Sequence, residues 1–140
     1  TQSEGVAALL RSPMTAVHVV TLLEEMPVQE SMDAIGELNN LRIPVGRIIV
    51  NSTRAPLLAG RVSTADLRRG LTAAGLPVDD GTVAGLLAET RDHLTRQGLE
   101  ESLRGELLEL GLPLIELPLL LDGVDRPGLN ALAGRLAAAD

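Results

Sequence analysis

Three short runs of β-branched and aliphatic residues interrupt a chain that is otherwise patterned for helices. Residues 16–21 (Ala-Val-His-Val-Val-Thr) and 45–51 (Val-Gly-Arg-Ile-Ile-Val-Asn) place apolar side chains at consecutive positions rather than alternate ones. That pattern predicts strands buried on both faces, with His18 packed inside the first. Residues 114–117 (Leu-Ile-Glu-Leu) predict a third strand. Between the first two, after a loop over 22–27, Met32, Ile35, Leu38 and Leu41 recur every third residue and mark one apolar stripe of a helix over 28–41, stopped by Ile43-Pro44. Strand, one-stripe helix and strand make a βαβ unit, whose crossover is nearly always right-handed.

The rest of the pattern is helical. A helix over 4–11 ends at Ser12-Pro13, and a loop over 51–62 carries Pro56 and Gly60. Ser63 or Thr64 caps a short helix running to 74, with Asp66 in its first turn, and Gly75-Leu76-Pro77 breaks it. Asp79 or Asp80 caps a helical stretch over 80–110 that Gly111 stops. Its stripe of Val83, Leu86, Leu87 and Leu94 slips phase after Gly98 and resumes at Leu99, Leu103, Leu107 and Leu110, so a bend or break is predicted near Gly98. After the third strand and a loop over 119–126, Pro127 sits in the first turn of a last helix that reaches 138. The order α-β-α-β-α-α-β-α predicts an α/β layered fold with a parallel sheet.

Composition narrows the chemistry. The 140 residues are 45% apolar but contain no Phe, Tyr, Trp or Cys, so the single expected core must be aliphatic. All 12 basic residues are Arg, against 19 Asp and Glu, for a net charge of -7. An acidic chain without aromatic platforms is ill suited to nucleic acid. Without Cys there are no disulfides, Cys-bound zinc or thiol nucleophiles. Without Lys there is no phosphate-loop lysine, and neither GxxxxGK[ST] nor GxGxxG occurs. The start of the sequence has no signal or transit character, and the apolar run over 117–121 is too short to cross a bilayer, so a cytoplasmic location is expected.

In open parallel sheets ligands bind beyond the carboxyl ends of the strands, which here are residues 21–25, 51–54 and 118–125. Three strands are few for such a domain, and the first helix begins mid-pattern. The expectation is a segment whose remaining strands and phosphate site lie upstream. His93, far from His18 and outside any HExxH, is not expected to bind metal. The pairs Glu24/Glu25, Asp79/Asp80 and Glu100/Glu101 read as helix caps and solvated surface rather than an acid/base dyad, and no catalytic residue is assigned.

The wording of residues 15–31 (Thr-Ala-Val-His-Val-Val-Thr-Leu-Leu-Glu-Glu-Met-Pro-Val-Gln-Glu-Ser) resembles the strand, loop and helix late in ArsA-type anion-transporting ATPases, in a form closest to actinobacterial members. Pro27 and Glu30 match that family's Pro-then-Glu-Thr helix start, with Ser31 in place of Thr. Residues 45–51 are similar to its strand ending in Val-Asn, Arg96-Gln97 to its late-helix Arg/Gln pair, and residues 117–120 (Leu-Pro-Leu-Leu) to its Leu-Pro-Leu loop before the last helix. The resemblance runs over most of the chain and is carried by the order and spacing of these pieces.

The resemblance implies a P-loop NTPase-like, three-layer α/β/α fold. Residues 1–140 would form the C-terminal segment of an ArsA-like ATPase: 1–51 as α-β-α-β, 63–111 as a helical insertion, and 112–140 as the last strand and helix. The segment would contribute the adenine side of an ATP site, through Asn51 at the strand end and through Pro118, Leu119 and Leu120. A carboxamide can donate and accept at once, which matches the adenine edge. The phosphate loop and magnesium chemistry would belong to the missing N-terminal part, leaving the segment inactive alone. ATP or ADP, a homodimer or paralogous heterodimer, and a client or membrane-protein partner are the implied partners. The absence of Cys removes the zinc clamp and the metalloid thiolates found in some members, so no zinc is expected. The alternative is a non-catalytic partner-binding or self-association module that uses helices 64–110.

Overall fold

The computed structural model describes residues 2–138. It is an α/β fold built on one sheet of three parallel strands, β1 (Val17–Thr21), β2 (Val45–Thr53) and β3 (Leu114–Pro118), in the order β1-β2-β3. The helices are α1 (Gln2–Leu10), α2 (Glu25–Asn40), α3 (Thr64–Ala73), α4 (Asp80–Glu109) and α5 (Arg126–Ala137). The element order is the one the hydrophobic pattern predicts. No helix among the described residues is long and apolar enough to cross a membrane.

The chain divides into two compact units, Thr1–Ala55 with Ser102–Asp140, and Pro56–Glu101. In the first, one face of the sheet carries Ile48 and Val50 of β2, both fully buried with Val28 and Ile35 of α2 and with Leu103 and Leu107 from the last turns of α4. Ile115 of β3 alternates to the opposite face and is also buried, and α5 packs on β3. In the second unit, Leu71 of α3 and Val83 of α4 are the buried apolar residues.

Helix ends follow the local chemistry. Ser63 caps α3 in a reciprocal box: its hydroxyl accepts from the Asp66 N–H at 3.2 Å, while Asp66 accepts from the Ser63 N–H at 3.0 Å. Asp79 caps the start of α4, accepting from the Thr82 N–H at 2.9 Å and the Thr82 hydroxyl at 2.7 Å. Asp125 caps α5 through the Gly128 N–H at 2.8 Å, ahead of Pro127 in the first turn.

Four expectations change. β1 is an edge strand rather than one buried on both faces: Val20 is 61% exposed and His18 is exposed, not packed. Val17, Val19 and Thr21 form its covered face while His18 and Val20 share the open one, and the consecutive apolar run does not reveal that. α2 starts three residues earlier than predicted and includes Pro27. Its first intrahelical bond runs from the Val28 N–H to the Glu24 carbonyl at 3.0 Å, so Pro27, one residue before, has no bond to lose. The stripe of α2 is Val28, Ser31 and Ile35 with Met32 rather than one ending on Leu41, which is the C-cap and is 52% exposed. Finally, α4 runs through Gly98 without a break. One Gly costs a helix only about 1 kcal/mol relative to Ala, and its neighbours are good helix formers. The phase slip marks a change in what the helix packs against, since Val83 is buried in one unit and Leu103 and Leu107 in the other.

Candidate functional site

Because all three strands are parallel, their carboxyl ends share one edge of the sheet. β2 runs two residues beyond the predicted end at Asn51, and its register with β3 advances unevenly there. Val50 pairs with Glu116 and Thr53 with Pro118, so Asn51 and Ser52 together lie opposite the single residue Leu117. This is a bulge, and Ser52 takes the left-handed conformation it requires, with φ 56°. Past the bulge the strands are tied again. The Thr53 hydroxyl donates to the Leu117 carbonyl at 3.3 Å, and the Leu119 N–H donates to the Thr53 carbonyl at 2.8 Å.

The fold therefore brings Asn51 and the Pro118–Leu120 segment, distant in sequence, to the ends of neighbouring strands. Asn51 is exposed. Pro118, Leu119 and Leu120 are half-buried, and Leu121 beyond them is 88% exposed. Leu120 lies against the first turn of α5, where a Cβ added to Gly128 would come within 2.8 Å of its Cδ1. Leu120 is thus held by the helix start, and Gly128 is the residue that admits it.

Half-buried beside this edge is an ion pair. Arg104 of α4 donates to both oxygens of Glu116 on β3, at 2.7 and 3.2 Å. At the end of β1, Thr21 is buried and its hydroxyl donates to the Leu22 carbonyl at 3.2 Å. Glu24 begins α2 without a side-chain cap bond.

The acidic pairs divide as the sequence suggests in part. Asp79 is the cap of α4, and Asp80 pairs with Arg68. Hydrogen bonds from Thr82 hold the Asp79 carboxyl below its ordinary value, and bonds from Ser63 do the same for Asp66. Among the described residues no group of three or more His, Cys, Asp or Glu side chains is placed to hold a metal ion.

Sequence reasoning missed Ser52 and Thr53, which shape the strand end. A run of Asn-Ser-Thr closing an apolar strand was the available signal. It also missed two polar atoms on α4, His93 Nε2 and Gln97 Oε1, which are buried without a hydrogen-bond partner among the described residues. Their one-turn spacing was visible; their burial was not.

No protein-family model matches the chain. It is 42% identical, over 145 residues and 97% of its own length, to the ATPase BagA of Mycobacterium tuberculosis. A protein of Mycobacterium bovis named as a candidate ATPase matches to the same extent. The chain spans 43% of the length of each of these curated relatives.

Proposed function

We propose that the chain is the C-terminal segment of an ArsA-like ATPase and supplies the adenine side of its ATP site. The observation that carries this reading is the pairing of β2 with β3, which sets Asn51 beside Pro118–Leu120 at the carboxyl edge of a parallel sheet. The carboxamide of the exposed Asn51 would read the adenine edge, and the half-buried Pro118, Leu119 and Leu120 would flank the ring in place of an aromatic platform. Two relatives that carry the word ATPase in their names support the activity, and their greater length supports a missing part. So does Val20, which is 61% exposed on a parallel strand where such strands are ordinarily covered on both faces. Phosphate binding, magnesium and hydrolysis would lie with the N-terminal part.

The test is ATP affinity of the full-length protein carrying Asn51→Ala. Loss of a paired donor and acceptor is expected to weaken binding by about 1–2 kcal/mol, or roughly tenfold. Unchanged affinity removes Asn51 from the site. The 140-residue chain alone is expected to show no magnesium-dependent ATP hydrolysis above buffer, and measurable turnover would refute the division of labour.

A second reading, a partner-binding or self-association module, is favoured by the unit Pro56–Glu101, in which Leu57, Leu76 and Leu99 are 80%, 54% and 41% exposed. Sedimentation that depends on concentration and is abolished by Leu99→Glu would support it.

A further inference from the structure

We infer that the unit Pro56–Glu101 contains a binding site for an amphipathic organic anion, a carboxylate carried on a short aliphatic chain. The unit has a cavity of about 410 Å³, within the size range of small-molecule sites. Val62, Leu87 and Leu94 line it and are half-buried. Arg61, from the segment before α3, and Arg91, from α4, line the same space and are exposed. Neither guanidinium makes an ion pair or hydrogen bond among the described residues, although Arg68, Arg69 and Arg104 all pair with carboxylates. In a chain of net charge -7, two guanidinium groups kept clear of acidic partners around an apolar floor are a selective arrangement. The floor takes a hydrocarbon chain out of water, and the rim offers charge-assisted hydrogen bonds to a head group that stays solvated.

A second cavity of about 450 Å³ in the same unit provides an internal contrast. It is lined by Leu57, Leu58 and His93 together with Glu89, Asp92 and Arg96, so carboxylates outnumber guanidinium groups there and disfavour an anion. The two cavities share Thr90, so charge rather than position decides between them.

Methyl NMR of the 140-residue chain tests the site, with octanoate, 1-octanol, acetate and inorganic phosphate as probes. Octanoate is expected to shift the Val62, Leu87 and Leu94 methyls saturably and to bind about fivefold or more tighter than 1-octanol, with acetate and phosphate leaving them unmoved. Raising salt from about 0.02 M to about 0.2 M should weaken octanoate and spare octanol, because the head group meets exposed charge. Arg61→Gln and Arg91→Gln should each weaken octanoate by about threefold or more without moving the octanol affinity. Arg61 lies outside the helices, so its variant keeps the test decisive if the α4 variant is unstable. Equal affinity for octanoate and octanol, unchanged binding in both Gln variants, or methyl shifts with acetate or phosphate alone would each overturn the proposal.

Discussion

The Leu119 N–H reaches the Thr53 carbonyl at 2.8 Å, just past a bulge that had put the two strands out of step. Pairing is lost over Asn51 and Ser52 and recovered one residue later. The recovery makes the bulge a fixed feature rather than a frayed strand end, and it keeps the Pro118–Leu120 segment beside Asn51. Any ligand bound at this edge would meet a backbone already held in place.

Fixing the bulge requires Ser52 to hold φ at 56°, a conformation that costs a non-glycine residue about 1–2 kcal/mol. Substitution at this position should separate backbone strain from side-chain effects. Ser52→Gly is expected to be neutral or to stabilise by up to about 1 kcal/mol, because glycine adopts this φ freely but loses more entropy on folding. Ser52→Val, β-branched and poorly suited to positive φ, is expected to destabilise by about 1–2 kcal/mol. Urea denaturation of the two variants checks the ordering. Equal midpoints would mean the left-handed conformation is not populated in solution.

That bulge also marks where the sequence stopped being readable. The order of elements, the three strands, caps at Ser63 or Thr64 and at Asp79 or Asp80, and the stop at Gly111 follow from residue types acting on their near neighbours, and each was visible. The register of β2 against β3 depends on residues more than sixty positions apart, so Ser52 and Thr53 looked like loop although they end the strand. His18 failed for a related reason. A consecutive apolar run says that a strand can be buried on both faces, while its actual burial depends on what packs over each face. Asn51 and Pro118–Leu120 were named from a resemblance; their adjacency came only with the pairing of β2 and β3.

The Arg104–Glu116 pair joins α4 to β3 with side chains 21% and 31% exposed, so solvent screens it only in part. Arg104→Gln and Glu116→Gln are each expected to destabilise the chain by about 1–2 kcal/mol, between the values for surface pairs and for hydrogen bonds to fully buried charges. The double variant should lose less than the sum, with a coupling of about 1 kcal/mol in a double-mutant cycle. Strict additivity would show that the two side chains contribute independently.

Acid should loosen the starts of α3 and α4 before the sheet. The Asp66 and Asp79 carboxyls are held below the ordinary 3.8, chiefly by side-chain hydrogen bonds from Ser63 and Thr82 respectively. A depressed folded value means the stabilisation is complete above the ordinary value and is lost as pH falls through the lower, folded one. Amide exchange at residues 64–67 and 80–83 is therefore expected to be independent of pH between about 5 and 7 once corrected for intrinsic rates, and to accelerate below about 3.8. Asp66→Asn and Asp79→Asn keep an acceptor but cannot be protonated in this range, so both should flatten the acid response of their own helix. An acid response that persists unchanged in both variants would assign it to other carboxylates.

Gly46 lies at a second irregularity of β2, where Val17 pairs with Val45 but Val19 pairs with Ile48. A Cβ at this position would sit 2.5 Å from His18 Cε1, 2.7 Å from His18 Nδ1 and 3.3 Å from the Ala16 Cβ. The two shortest contacts are with an exposed ring that can swing into solvent, whereas the Ala16 methyl can move only with its backbone. Gly46→Ala is thus expected to cost about 1 kcal/mol, at the mild end of overpacking, and His18→Ala alone less than about 0.5 kcal/mol. Combined, His18→Ala should remove most of the penalty of Gly46→Ala, since it clears the ring and leaves only the looser Ala16 contact. A chemical-denaturation cycle on the three variants decides the matter. A penalty that stays the same without the imidazole would show that the obstacle is the neighbouring strand itself, and that Gly46 is demanded by the bulge rather than by His18.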